Sequence, residues 1–234
     1  MALPRTLALL GQRAATELEA LRIYCQHTEA VWDSLMDAMS RGHVARIPVP
    51  ATGQLATAQE LNTLSLRYRD AYLLPFAFQH LIALFEYFFF DFLKALLVNN
   101  PLQLSQRKQI EVGLALSVPD RAALIELIAE RELNEIKYRK PREWFEYLDR
   151  LVRLGCPTVD EIDSLAEIKA CRDVLAHNVG TANVIYLDEA GAKARWSLDQ
   201  QVIIDPPYFH DCMTLIRKII QDLSAAAAAR FTTP

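Results

Sequence analysis

Glycine is scarce and nowhere clustered. The 7 glycines of this 234-residue chain form no glycine-rich phosphate loop, so the backbone cradle that nucleotide-binding folds place between strand and helix is missing. Short β-prone runs do not alternate with crossover helices, which sets a doubly wound α/β fold aside. The four cysteines, Cys25, Cys156, Cys171 and Cys212, are scattered without a Cys-x-x-Cys pair. That usage fits reduced thiols in a cytosolic protein and neither a disulfide scaffold nor a zinc site. A basic excess is absent as well: the formal net charge of -4 argues against a broad cationic wrapping surface while leaving room for a local basic cleft. Nor does any apolar run suffice to span a bilayer. The longest, ALFEYFFFDFLKALLV, is interrupted by Glu86, Asp91 and Lys94, and the opening MALPRTLALLGQRAATELEA turns charged too soon for a signal peptide. A cytoplasmic protein with no membrane partner is the expectation.

What the chain does have is helical periodicity. A hydrophobic fraction of 52% beside 23% charged residues is ordinary for a globular chain and excludes wholesale disorder. Leu18, Leu21 and Cys25, then Val31, Leu35 and Met39, recur at helical spacing and predict a long first helix within 1–42. Prolines and glycines then predict a loop over 43–59, and Arg41 just before it, with His43 and Arg46 in it, either face phosphate or are plain solvated charge. Residues 60–230 read as a helical core, forming one domain with the first helix. Pro75 is expected to kink or divide its first segment, because proline lacks the amide donor. Phe76 to Val98 is too apolar for a surface helix and is expected at the centre, covered by the rest of the bundle or by a second chain.

Three shorter helices follow on the same logic. Ser117 or Asp120 caps one, Pro141 opens another that Gly155 ends, and EIDSLAEIKACRDVLAHN brings Ile162, Leu165, Ile168, Cys171 and Leu175 close to one stripe. ANVIYLDEAGAKARWSLDQQVIIDPP departs from this pattern. Its Val184, Ile185 and Tyr186 are β-prone and DEAG suggests a turn, which predicts a small hairpin-like excursion before the last helix. The expected fold class is therefore all-α, a helical bundle with that one excursion.

The chemistry concentrates in CRDVLAHNVG. Arg172 and His177 stand about 7.5 Å apart along an ideal helix and about 140° around it, on different faces, yet both side chains reach far enough to converge on one cleft edge. Asn178 and Gly180 tolerate left-handed backbone and so end the helix. Arginine presents a planar fork of donors suited to a phosphodiester, and histidine moves protons near neutral pH. Such a pair handles phosphoryl chemistry when the substrate carries its own nucleophile, as RNA does in its 2′-hydroxyl. Spacing alone favours a surface cation and a capping histidine. No cofactor is indicated, and His80 and His210 lack the spacing of metal ligands. A cysteine nucleophile at Cys171 would need a histidine facing it. The basic segment KYRKPR, residues 137 to 142, either guides an RNA backbone or solvates a helix junction, and Asn183 and Tyr186 are within reach of a base or ribose.

IKACRDVLAHNVGTANVIYL resembles the signature of the HEPN superfamily, in which an arginine, commonly followed by Asn or Asp, precedes a histidine by four to six residues. Arg172, Asp173 and His177 occupy those positions, followed by Asn178-x-Gly180. HLIALFEYFFFDFLKALL looks like the family's earlier core helix with its acidic residue, for which Glu86 is the first candidate and Asp91 the next. The likeness runs loosely from about residue 70 to 222 and leaves the first helix and its loop unmatched. It implies a HEPN-like bundle and a homodimeric, metal-independent endoribonuclease acting as a toxin or antiviral defence effector, with RNA as substrate and a protein inhibitor or antitoxin as possible partner. Arg172 would then hold the scissile phosphate and His177 act as general acid or base. Asp173 would orient the histidine or contact the other chain, and Glu86 would pair with Arg172 or be a plain core-edge carboxylate. A non-catalytic HEPN-type module binding RNA or protein is the alternative.

Overall fold

A computed structural model describes residues 2–43, 47–49, 53–105 and 109–232. Helix α1 (Leu3–Ser40) buries Leu7, Gly11, Ala14, Leu18, Leu21 and Cys25, a stripe recurring every three or four residues that faces the bundle. Gly11 lies where α1 crosses the last helix: a Cβ there would come within 2.9 Å of Ser224 Cβ. The second half of α1 leaves the main core, and Val31 is exposed. Leu35 and Met39 instead join a small satellite cluster with Ala56 and Leu61.

Helix α2 (Ala58–Tyr68) starts two residues before Glu60 because Thr57 and Glu60 cap it reciprocally, Glu60 N donating to Thr57 Oγ1 at 3.3 Å and Thr57 N to Glu60 Oε2 at 2.8 Å. The α-helical run is divided at Pro75. The helix widens into a π-turn at Arg69–Leu73 and resumes as α3 (Leu74–Asn99), the wider turn accommodating the missing donor and the proline ring.

Helix α3 is the centre of the bundle. Thirteen of its side chains are buried, including Phe78, Phe85, Phe88, Phe89, Phe90 and Phe92, and α1, α5, α6, α7 and α9 all pack on it. Its apolar excess is therefore covered by its own chain, leaving chiefly Phe76 and Tyr87 exposed. After α4 (Val112–Ser117), α5 (Arg121–Lys137) is capped by Asp120, whose Oδ1 accepts from Ala123 N at 2.8 Å. Helix α6 (Pro141–Leu151) starts at Pro141 but stops before Gly155, since Val152 turns extended and buries its side chain. Helix α7 (Val159–His177) opens on a Thr158/Glu161 capping box.

The hairpin expected after α7 is absent. Val184–Ala190 is helix α8, capped by Asn183 Oδ1, which accepts from Tyr186 N at 2.9 Å. A lone strand here would leave its amides unpaired, whereas a helical turn satisfies them and sends Tyr186 into the core. What remains of the excursion runs back alongside the end of the α7 turn, with Ala182 N donating to Gln200 O and Val202 N to Gly180 O, both at 2.8 Å. This makes one isolated bridge, Thr181 to Gln201, and the described residues contain no β-sheet. Helix α9 (Pro206–Thr232) closes an all-α bundle whose main core runs from Leu7 to Ala227. No helix among the described residues is long and apolar enough to cross a membrane.

Candidate functional site

Leu165, Ile168, Cys171 and Val174 turn inward and dock α7, which leaves Lys169, Arg172, Asp173 and His177 at or near the surface. Arg172 meets Glu86 of α3 in a very short ion pair and reaches Asp173 Oδ1 at 3.2 Å. Lys169 Nζ holds the other oxygen of Asp173 at 2.6 Å. Asp173 is thus engaged within its own chain, and the carboxylate 86 positions upstream is the one that grips the arginine. Burial holds the Glu86 carboxyl above its usual range, against the pull of Arg172 and Lys169, with Asp173 adding to the rise. Arg172 Nε is buried with no hydrogen-bond partner, so one donor of the guanidinium is unsatisfied at rest.

Arg172 and His177 line one cavity of about 570 Å³ together with Glu86, Tyr87, Tyr138 and Asp173. Their angular separation does not keep them apart, because the cavity extends along the outer face of α7 to its end. Asp91, the other acidic candidate, lines the same cavity, as do Lys137, Lys169 and Glu189. Four carboxylates thus face three fixed cations and one histidine, so the basic character is local to Arg172 and the two lysines.

Helix α7 ends differently from expectation. Asn178 is not left-handed; its Nδ2 donates to Thr181 O at 2.5 Å and ties the turn. The left-handed residues are Val179, at φ 51°, and Gly180, at φ 76°. Gly180 is needed for space as well, since a Cβ would fall 2.4 Å from Gln201 Nε2. Val179 is a β-branched residue where such backbone is costly, and it is 90% exposed.

Behind the site lies a residue that sequence reasoning missed. Glu167 is 4% exposed and accepts from the Tyr208 hydroxyl at 2.7 Å, the Cys171 thiol at 3.0 Å and the Tyr186 hydroxyl at 3.2 Å. It fastens α7 to α8 and α9. Burial raises its carboxyl above the ordinary range despite these three donors. The available signal was its position one turn before Cys171, in register with the inward face. Tyr186, expected within reach of a base, is 1% exposed and spent on this network. Cys171 is equally committed, and burial pushes its thiol upward, away from nucleophilic use.

The other charges mostly pair off. Arg139, Lys140 and Arg142 of the basic segment meet Glu143, Asp188 and Asp163 at 3.7, 2.5 and 2.6 Å, while Lys137 and Tyr138 turn to the cavity. Arg41 pairs with Asp37 at 2.8 Å, and Arg46 lies outside the described residues. Among the described residues no group of three or more His, Cys, Asp or Glu side chains is placed to hold a metal ion. Set beside known proteins, the chain matches no family model, no curated protein and no solved structure.

Proposed function

We propose that this chain is a metal-independent endoribonuclease of HEPN-like type, acting on RNA at the Arg172/His177 cleft. The observation that carries it is the shared cavity: a guanidinium with an unsatisfied buried donor and a solvent-accessible histidine open onto one space. Arg172 grips a non-bridging phosphate oxygen with its fork of donors. His177 takes the proton of the ribose 2′-hydroxyl as its oxygen attacks phosphorus. The P–O5′ bond breaks, the departing oxygen takes up a proton from an imidazolium, and the products are a 2′,3′-cyclic phosphate and a 5′-hydroxyl. Glu86 and Asp173 hold Arg172 in position at rest, and a bound phosphate competes with them for it. A role as toxin or defence effector, under the control of a protein inhibitor, is proposed from the resemblance alone.

The decisive experiment is cleavage of a defined RNA with EDTA present, comparing the intact chain with His177→Ala and with a substrate carrying hydrogen in place of the 2′-hydroxyl at the cut. Loss of His177 is expected to cost roughly 10²-fold or more in rate with the fold retained. Arg172→Lys is expected not to restore what Arg172→Ala loses, because lysine lacks the planar fork. Cutting of the deoxy substrate at the same position would refute the mechanism.

One feature favours the non-catalytic alternative. Two carboxylates already occupy Arg172, and a module that binds RNA or protein without cutting needs no arginine free for a scissile phosphate. Binding of RNA that is left intact under all these conditions would establish that alternative.

A further inference from the structure

The Arg172/His177 site has two sides. Asp173, His177 and Glu189 line both the cavity described above and a neighbouring depression of about 290 Å³ bounded by Asn178, Asn183 and Ile185. A phosphodiester has the same topology, one phosphate with a nucleoside on either side, so a phosphate held by Arg172 beside His177 places one nucleoside in the wider hollow and directs the other toward the depression.

The two hollows differ in chemistry. The wider one carries two tyrosines that the fold does not use: Tyr138 is 94% exposed at the end of α5, and Tyr87 is 69% exposed on α3. Among the described residues neither ring stacks on another aromatic side chain, although most aromatics of α3 do so in the core. Two large rings left in water contribute no burial energy to folding. Lys169 in the same hollow is held by Asp173 at 2.6 Å and Lys137 lies over the Phe90 ring at 5.3 Å, so the cation that the two rings accompany is Arg172. Exposed rings beside a phosphate-binding arginine suit unpaired nucleotides, the base stacking on the ring while the backbone meets the charge.

We propose that the Tyr87/Tyr138 hollow is a base-stacking subsite that accepts one unpaired nucleobase and restricts the site to single-stranded RNA. This deepens the RNA-cleaving function proposed above and rests on it for the location of the phosphate. A base inside a duplex is already stacked on its neighbours, so a paired strand gains nothing from these rings. At about 570 Å³ the hollow is large enough for one nucleoside and too small for a base pair with its backbone.

The test uses the full chain and a set of single-stranded hexaribonucleotides, 2′-O-methylated throughout to block cleavage, each with 2-aminopurine at one position. Stacking is expected to quench the fluorophore at one position of the set. Tyr138→Ala is expected to abolish that quenching and weaken binding by roughly 5- to 150-fold, the range typical of losing one stacked base, with Tyr87→Ala acting in the same direction. Tyr138→Trp restores both if the ring face is what matters, and the corresponding blunt duplex binds no better than the single strand binds to Tyr138→Ala. Both residues are surface side chains, so circular dichroism and thermal melting should be unchanged. Absence of quenching at every position, single-strand affinity within twofold in both alanine variants, or equal affinity for the duplex overturns the subsite. That result would include the case in which the two rings serve a protein partner. Quenching that depends on Tyr138, without cutting of unmodified RNA, retains the subsite and removes the nuclease. Cutting that is indifferent to both tyrosines does the reverse.

Discussion

Replacing Glu167 tests how α7 is held, whatever the site does. In Glu167→Ala the Tyr208 hydroxyl and the Cys171 thiol lose their carboxylate acceptor and keep only the weak contact of the hydroxyl to the sulfur at 3.4 Å, while Tyr186 keeps one contact because its oxygen still accepts from Arg195 N at 2.8 Å. Exchanging a carboxylate for a thiol acceptor costs part of the ~1–3 kcal/mol of a fully orphaned buried group, and the cavity adds to it, so a net loss of about 2–4 kcal/mol is expected after allowing for a carboxyl that no longer has to be buried. Glu167→Gln keeps the volume and one oxygen acceptor, and its amide can donate to a tyrosine oxygen; it should cost about 1 kcal/mol or less near neutral pH. The two variants also differ in pH dependence. The Glu167 carboxyl lies above its usual value of 4.5 in the folded chain because of burial. As pH rises from that value toward the folded one, the unfolded chain releases a proton that the folded chain retains, and stability falls. The advantage of the parent over Glu167→Gln should therefore be greatest at acid pH and shrink as pH rises. Urea unfolding at several pH values between about 4.5 and 8 measures both effects, and Glu86, also raised, is common to both chains and cancels in the comparison. The reasoning fails if Glu167→Ala lies within 0.5 kcal/mol of the parent, a difference on the order of ordinary surface substitutions, or if the gap to Glu167→Gln does not change with pH.

Further outcomes follow from packing and backbone. Phe89 is fully buried between Phe85, Trp144 and Phe145, with ring centroids at 5.8, 5.9 and 4.9 Å, and Phe89→Ala should cost about 3–5 kcal/mol by thermal or urea unfolding; an unchanged midpoint would remove α3 from the centre. Val179 holds a left-handed conformation at the surface, so Val179→Asn should stabilise by about 1 kcal/mol, and a destabilised variant would show that this turn is not strained. The homodimer expected from the sequence is proposed to form through the exposed Val179, Val184 and Ile185 beside His177, because α3 needs no second chain to cover it. Light scattering should report a dimer that Val184→Asp with Ile185→Asp reduces to monomer; a parent chain that is monomeric at micromolar concentration ends the proposal.

Much of the bundle was legible because helices are encoded locally. The stripe of Leu18, Leu21 and Cys25 and the role of Pro141 depend on residues within a turn of one another, and they stand where the sequence put them. Asp120 settled a choice that composition left open. Pro75 divides the helical segment through a π-turn, a local form of division that proline alone does not specify. Two misjudgements have different causes. Val184 to Tyr186 have strand propensity but no strand to pair with, and the acceptor for the Tyr186 hydroxyl, Glu167, lies on another helix. Helix α6 stops at Leu151 because Val152 has a core position to fill, which Gly155 three residues later does not reveal.

For the candidate site the division is sharper. Residue type and spacing singled out Arg172, His177 and Asn178, since chemistry of that kind belongs to the side chains themselves, and the resemblance added Asp173 and Glu86. Only tertiary structure decided what each one touches. The Glu86 contact joins α3 to α7 across 86 positions of sequence, and Tyr138 reaches the cavity because α5 ends beside it. Glu167 bonds to groups on three elements at once. Periodicity carries information over one or two helical turns, whereas these contacts depend on how whole helices cross, and the crossing is set by the summed burial of α1, α3, α7 and α9 around Phe78 to Leu97.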